Sequence, residues 1–178
     1  MKTLRIFLNA TILCGTLFFY QNAQAQKITQ KSVAVAVNGT SPLHDWEMNA
    51  SAASFTGTVN GNTISNAAFT IPVKNLKSKK GNTMDNKAYE ALKANQYPTI
   101  SFTATSINIG KSNVSGKLTI AGVSKNVSFP VNVAKNENSY TIFGTEKVKL
   151  SEFGMSRPGF MGIKTGDDVT IKVNIVAQ

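Results

Sequence analysis

Hydrophobic residues recur at every second position through most of this chain, and that period leaves little choice of fold class. Val33, Val35 and Val37 alternate with Ser32, Ala34 and Ala36; Ile100, Phe102 and Ala104 alternate with Ser101, Thr103 and Thr105. Val114, Gly116, Leu118 and Ile120 follow the same rule, as do Val127, Phe129, Val131 and Val133, and then Val169, Ile171, Val173 and Ile175. Successive side chains of a strand point to opposite faces, so each run reads as a strand with one buried and one solvated face. Asp45 to Ala53, Phe55 to Asn60, Thr63 to Val73 and Tyr140 to Leu150 are further strand candidates.

Turn signals separate the runs. Asn60-Gly61 marks a hairpin, Gly110 to Asn113 reads as a four-residue hairpin loop, and Ala121-Gly122-Val123-Ser124 as another. Short connections imply antiparallel neighbours, and eight or nine strands in one domain point to an all-β barrel or sandwich, between which periodicity does not choose. The exception is Thr83 to Ala94, where Met84, Ala88, Ala91 and Leu92 share one helical face, Thr83 or Asp85 is placed to cap the start, and Asn95 the end. This short inserted helix either plugs a barrel mouth or covers a sandwich edge.

The first 25 residues read as a signal peptide rather than part of the fold. Lys2 and Arg5 precede an apolar stretch from Ile6 to Tyr20, and Ala23-Gln24-Ala25 supplies small residues for cleavage before Gln26. The stretch is shorter than the roughly 20 residues of a spanning helix. Residues 26–178 then form the mature domain. It lacks cysteine, because Cys14 lies in the signal segment, and export without disulfides points to the periplasm or to secretion.

One His and one Cys in 178 residues leave no metal cluster and no Cys/His nucleophile pair, so neither a metal, a cofactor nor a catalytic residue is expected. The 19 Lys and Arg, less Lys2 and Arg5, stand against 9 Asp and Glu, a net +8 for the mature chain. Lys74, Lys77, Lys79 and Lys80 cluster without interleaved aromatic residues, which argues against nucleic acid and for a solvated loop.

Tyr97-Pro98-Thr99-Ile100-Ser101-Phe102 directly follows the helix that carries Asp85 and Leu92. Gly116-Lys117-Leu118-Thr119-Ile120-Ala121-Gly122-Val123-Ser124-Lys125-Asn126-Val127, Phe153-Gly154 and Gly166-Asp167-Asp168-Val169-Thr170-Ile171 come later, in that order. This ordered combination, spread from Gln30 to Gln178, resembles the YceI-like family. The resemblance implies an antiparallel lipocalin-like barrel of about eight strands that holds a polyisoprenoid or other lipid tail in its lumen. Transient membrane contact is compatible with such a protein, and the oligomeric state stays open, with a homodimer as one option.

Such a lumen should be lined by Val37, Trp46, Phe69, Ile71, Phe102, Leu118, Phe129 and Ile142, with Phe153, Met155, Phe160 and Met161 at a loop-rich end. The alternative for each is ordinary core. His44, beside Trp46, and Arg157, the one arginine after the signal segment, are candidates to meet a polar head group. Three functions are thus set against one another: a lipid-holding carrier, a surface module whose lysines bind anionic polymers, and a hydrolase using His44 with Asp45, or Asp45 and Glu47 as paired carboxylates.

Overall fold

The computed structural model describes residues 25–160 and 162–178, and the backbone alone of Phe160. Residues 1–24, which hold nearly all of the expected signal peptide, Met161 and the Phe160 side chain therefore lie outside the described residues. The described strands are β1 (Gln26–Gly39), β2 (Trp46–Ala50), β3 (Ser54–Asn60), β4 (Thr63–Pro72), β5 (Lys77–Ser78), β6 (Thr99–Asn108), β7 (Gly110–Ile120), β8 (Val123–Asn136), β9 (Ser139–Lys149), β10 (Gly159–Phe160), β11 (Ile163–Lys164) and β12 (Asp168–Ala177). Among the described residues a single α-helix, α1 (Asn82–Ala91), stands between β5 and β6.

Strands β1, β3, β4, β6, β7, β8, β9 and β12 close into an antiparallel barrel of eight strands, because β12 pairs with β9 on one side and with β1 on the other. Closure joins the two ends of this eight-stranded sheet, leaving the short β5 beside β2 as an edge, and excludes the sandwich. β1 serves two neighbours in turn. Its first residues, Gln26 to Thr29, pair with β3, whereas Val35 to Gly39 pair with β2, which in turn carries β5. A register shift between Gln30 and Ser32 changes the parity of β1, so that Ile28 before it and Val35 after it are both buried.

The hairpin turns after β3, β6 and β8 gather at one end of the barrel with the start of β1 and the end of β12, and there Ile28, Ile64, Val133, Tyr140 and Ala177 are almost wholly buried. At the other end lie α1, the 40–45 loop and the 150–167 segment. The turn between β7 and β8 has two residues, Ala121 at φ 50° and Gly122 at φ 81°, a left-handed pair that suits strand twist and favours glycine. The turn before β7 is shorter than the expected four-residue loop, since β7 begins at Gly110 and only Ile109 separates it from β6.

Helix α1 differs from expectation at both ends. Gly81 occupies the N-cap with no side-chain cap, and the carboxylate of Asp85 reaches sideways instead, accepting the Ser78 N–H at 2.7 Å and pairing with Lys77 at 3.3 Å. The helix closes with Lys93, not Asn95, in the left-handed region: Lys93 donates to the Glu90 carbonyl and Ala94 to that of Tyr89, the Schellman pattern. Asp85 is 3% exposed, so α1 is fastened to β5 by a buried, charge-assisted bond.

Candidate ligand cavity

The inward side chains of the strands do not fill the barrel. They surround a cavity of about 240 Å³, on the order of twenty times the ~10–15 Å³ that one water requires. Val37, Trp46, Phe69, Ile71, Phe102, Leu118, Phe129 and Ile142 all line it, and Phe153 and Met155 line it from the 150–167 segment. α1 and the residue after it present Met84, Ala88, Ala91 and Leu92 to the same space, so the helix plugs the mouth. Ile107, Val114, Val131 and Ile175 form deeper wall, and Leu43, Pro158 and Ile163 the rim.

Close approach of aromatic rings to glycines shapes the wall. A Cβ on Gly116 would stand 2.5 Å from Phe102 Cζ and 2.4 Å from the Thr103 carbonyl oxygen; one on Gly144 would stand 3.2 Å from Phe129 Cε2. Trp46 lies over Gly39, where a Cβ would come within 2.2 Å of Cζ2, and its indole N–H donates to the Thr40 carbonyl at 3.2 Å. Each glycine thus leaves room for a ring. Phe102 and Phe129 meet across β7 with centroids 5.3 Å apart and planes tilted by 54°.

Polar groups are few. His44 lines the cavity at the exposed rim. Its backbone is held by reciprocal bonds with the Ser41 hydroxyl, which donates to the His44 carbonyl at 2.6 Å and accepts from its N–H at 3.2 Å. Among the described residues its imidazole has no hydrogen bond, to Asp45 or to any other group. Arg157 is exposed and is not part of the cavity wall, so the two head-group candidates are not brought together. The Glu47 carboxylate is engaged by other groups. The Glu47 carboxylate accepts from Asn49 at 2.7 Å and Asn38 at 3.1 Å and pairs with Lys79 at 3.3 Å, and these contacts hold its pKa below the usual carboxylate value. A general acid needs the reverse.

Two charged lining residues, Lys87 and Glu146, were not singled out in the sequence. Lys87 lines the cavity from α1 and donates to the Gly159 carbonyl at 2.9 Å, joining the helix to the rim hairpin of β10 and β11. Glu146 is an inner-face carboxylate on β9, and burial pushes its pKa up, opposed by a hydrogen bond from the Lys147 backbone. The signal for Glu146 was available: stepping by two from Ile142 reaches Gly144, Glu146 and Val148. Among the described residues no three His, Cys, Asp or Glu side chains gather as a metal site would.

A closed eight-stranded antiparallel barrel with a continuous apolar interior is a lipocalin-like architecture, of a size that accommodates one small ligand. The chain belongs to the YceI-like domain family, which matches residues 23–177. Among solved structures it is similar to Burkholderia cenocepacia BcnA, with 25% identity and a TM-score of 0.69 over 82% of this chain and 96% of that one. A polyisoprenoid binding domain from Saccharophagus degradans, implicated in plant cell wall breakdown, matches at 10% identity with a TM-score of 0.71 over 85% and 97% of the two chains, a likeness of fold. The Campylobacter jejuni YCEI protein has the fold too, at 20% identity and a TM-score of 0.53 over 99% and 97%. No curated protein matches the sequence.

Proposed function

We propose that this is an exported binding protein, without catalytic chemistry, that holds a long apolar lipid in its lumen for sequestration or transport. The ligand class is an isoprenoid, quinone-like or fatty-acyl chain. The observation that carries this reading is the cavity itself: strands from every side of the barrel leave about 240 Å³ open and line it almost entirely with apolar side chains. A protein that needed only a stable core would fill such a space, because an unfilled apolar volume forfeits packing energy. The polyisoprenoid-binding relative supports the same ligand class.

Export fits the arrangement, because β1 starts at Gln26, so removal of residues 1–25 leaves β1 whole. Protein recovered from the envelope or the medium should begin at Gln26 on N-terminal sequencing. Native mass spectrometry of that protein, followed by organic extraction, tests the main reading. One long-chain species bound one to one is the expected result. A protein that stays empty after incubation with prenols and fatty acids refutes it.

A second reading, a surface module for anionic polymers, is favoured by exposed Lys111, Lys117, Lys147 and Lys172 on the outer faces of β7, β9 and β12. It predicts polymer binding that weakens with salt.

A further inference from the structure

We infer that Glu146 selects the head group of the lumen's ligand, favouring an apolar chain that ends in a hydroxyl over the same chain ending in a carboxylate. The inference rests on the lipid-holding reading above and adds to it the chemistry of the ligand's polar end.

Glu146 sits on the inner face of β9 between Gly144 and Val148, directly across from Ile171 of β12. β9 ends at Lys149, which pairs with Asp168 where β12 begins, so the carboxylate lies just inside the mouth rather than in the closed end. Here the wall changes character. Pairing of β8 with β9 runs from Asn136↔Ser139 to Val131↔Gly144 and stops, next to Pro130, which has no N–H to continue the ladder. Glu146 is therefore the first inward residue beyond the last bonded pair, where β8 no longer constrains its neighbour.

The groups around it offer no charge partner. β12 contributes Val169, Ile171 and Val173 to the same cavity, and β8 contributes Phe129 and Val131. The ionisable residues that reach the cavity from other elements are His44 and Glu47 near the rim and Lys87 on α1; Glu47 is held by Asn38, Asn49 and Lys79, and Lys87 donates to Gly159. Lys147 and Lys172 are exposed on the outer face. The Glu146 carboxylate accepts the backbone N–H of Lys147, and no side chain among the described residues bonds to the rest of it. A carboxylate has roughly four acceptor sites, so most of its capacity faces the lumen unused. A hydroxyl carried in on an apolar chain donates to it, whereas a second carboxylate confronts it with a like charge.

Competition binding of oleyl alcohol and oleate, identical in chain and different in head, tests this on the mature protein, Glu146→Gln and Glu146→Leu near neutral pH. Wild type should bind the alcohol about tenfold more tightly, the effect of one hydrogen bond to a charged acceptor. Glu146→Leu should weaken the alcohol and strengthen oleate until the preference disappears. Glu146→Gln, close to isosteric, should relieve oleate while retaining an acceptor for the alcohol. Oleate affinity should rise more steeply in wild type than in either variant as the pH falls, because binding two carboxylates together favours taking up a proton. A wild type that binds neither probe overturns the lipid-holding reading and this one with it. Binding of both probes with no preference, or a preference unchanged in both variants, overturns the role of Glu146 alone.

Discussion

Replacing Gly116 by alanine puts a methyl group where two neighbours already stand, the Thr103 carbonyl oxygen at 2.4 Å and Phe102 Cζ at 2.5 Å. Carbon contacts are normally about 3.5 Å or longer, so the overlap is about an ångström on each side. The ring can move, but the carbonyl belongs to the stretch in which Thr103 faces Lys117 across the β6–β7 ladder, and it can shift only by opening that ladder. Overpacking of this kind costs about 1–3 kcal/mol, and a displaced Phe102 also loses part of its tilted contact with Phe129, about 0.5–1.5 kcal/mol. The expected loss is about 2–4 kcal/mol, with a fall in melting temperature of about 5–15 °C for a domain of this length. Urea unfolding should show a lower midpoint with an unchanged slope. Because Phe102 has nowhere to go but inward, the same variant should bind a lumen probe less tightly. Asn113→Ala, on the exposed side of the same strand, is the control, expected within about 0.5 kcal/mol of wild type. If Gly116→Ala matches that control, the account of the wall as rings seated on glycines is wrong.

Gly144→Val should crowd Phe129, whose Cε2 would lie 3.2 Å from a Cβ at that position, and lower probe affinity more than stability. Asp85→Ala should cost about 2–3 kcal/mol by leaving the Ser78 N–H without its carboxylate, and hydrogen exchange should accelerate across Asn82–Ala91 before the barrel strands. The pH dependence of stability has opposite signs at two glutamates. Glu47 is lowered when folded, so its stabilising contribution is present above the ordinary value of 4.5 and is lost as the pH falls through the folded pKa; Glu47→Gln should flatten that loss. Glu146 is raised when folded, so its penalty is absent below 4.5 and develops as the pH rises through the folded pKa; Glu146→Gln should be the more stable protein at neutral pH and gain nothing in acid.

Much of this molecule follows from local rules. Alternation decided which of Phe69, Ile71, Phe102, Leu118, Phe129 and Ile142 face inward, because a strand has no freedom to change parity except at a bulge. The spacing of Met84, Ala88, Ala91 and Leu92 likewise set the helix face that meets the cavity. The ends of α1 were less legible, since Asp85 satisfies a strand N–H instead of its own helix, a choice made by a neighbour close only after folding.

Barrel closure was beyond local pattern altogether. It depends on β12 finding β1 across nearly the whole domain, and on β1 leaving β3 for β2 partway along, pairings between segments that alternation alone makes equally compatible. The same holds for the polar features of the mouth. His44 and Arg157 both stand in irregular segments without a period to orient them, and only the packed structure put the first on the cavity wall and left the second outside it. Glu146 combines the two cases: its inward direction was written in the parity of β9, while its setting without a side-chain partner arose where β8 stops pairing with its neighbour. Side-chain direction is a property of one strand, and environment is a property of the strands that meet it.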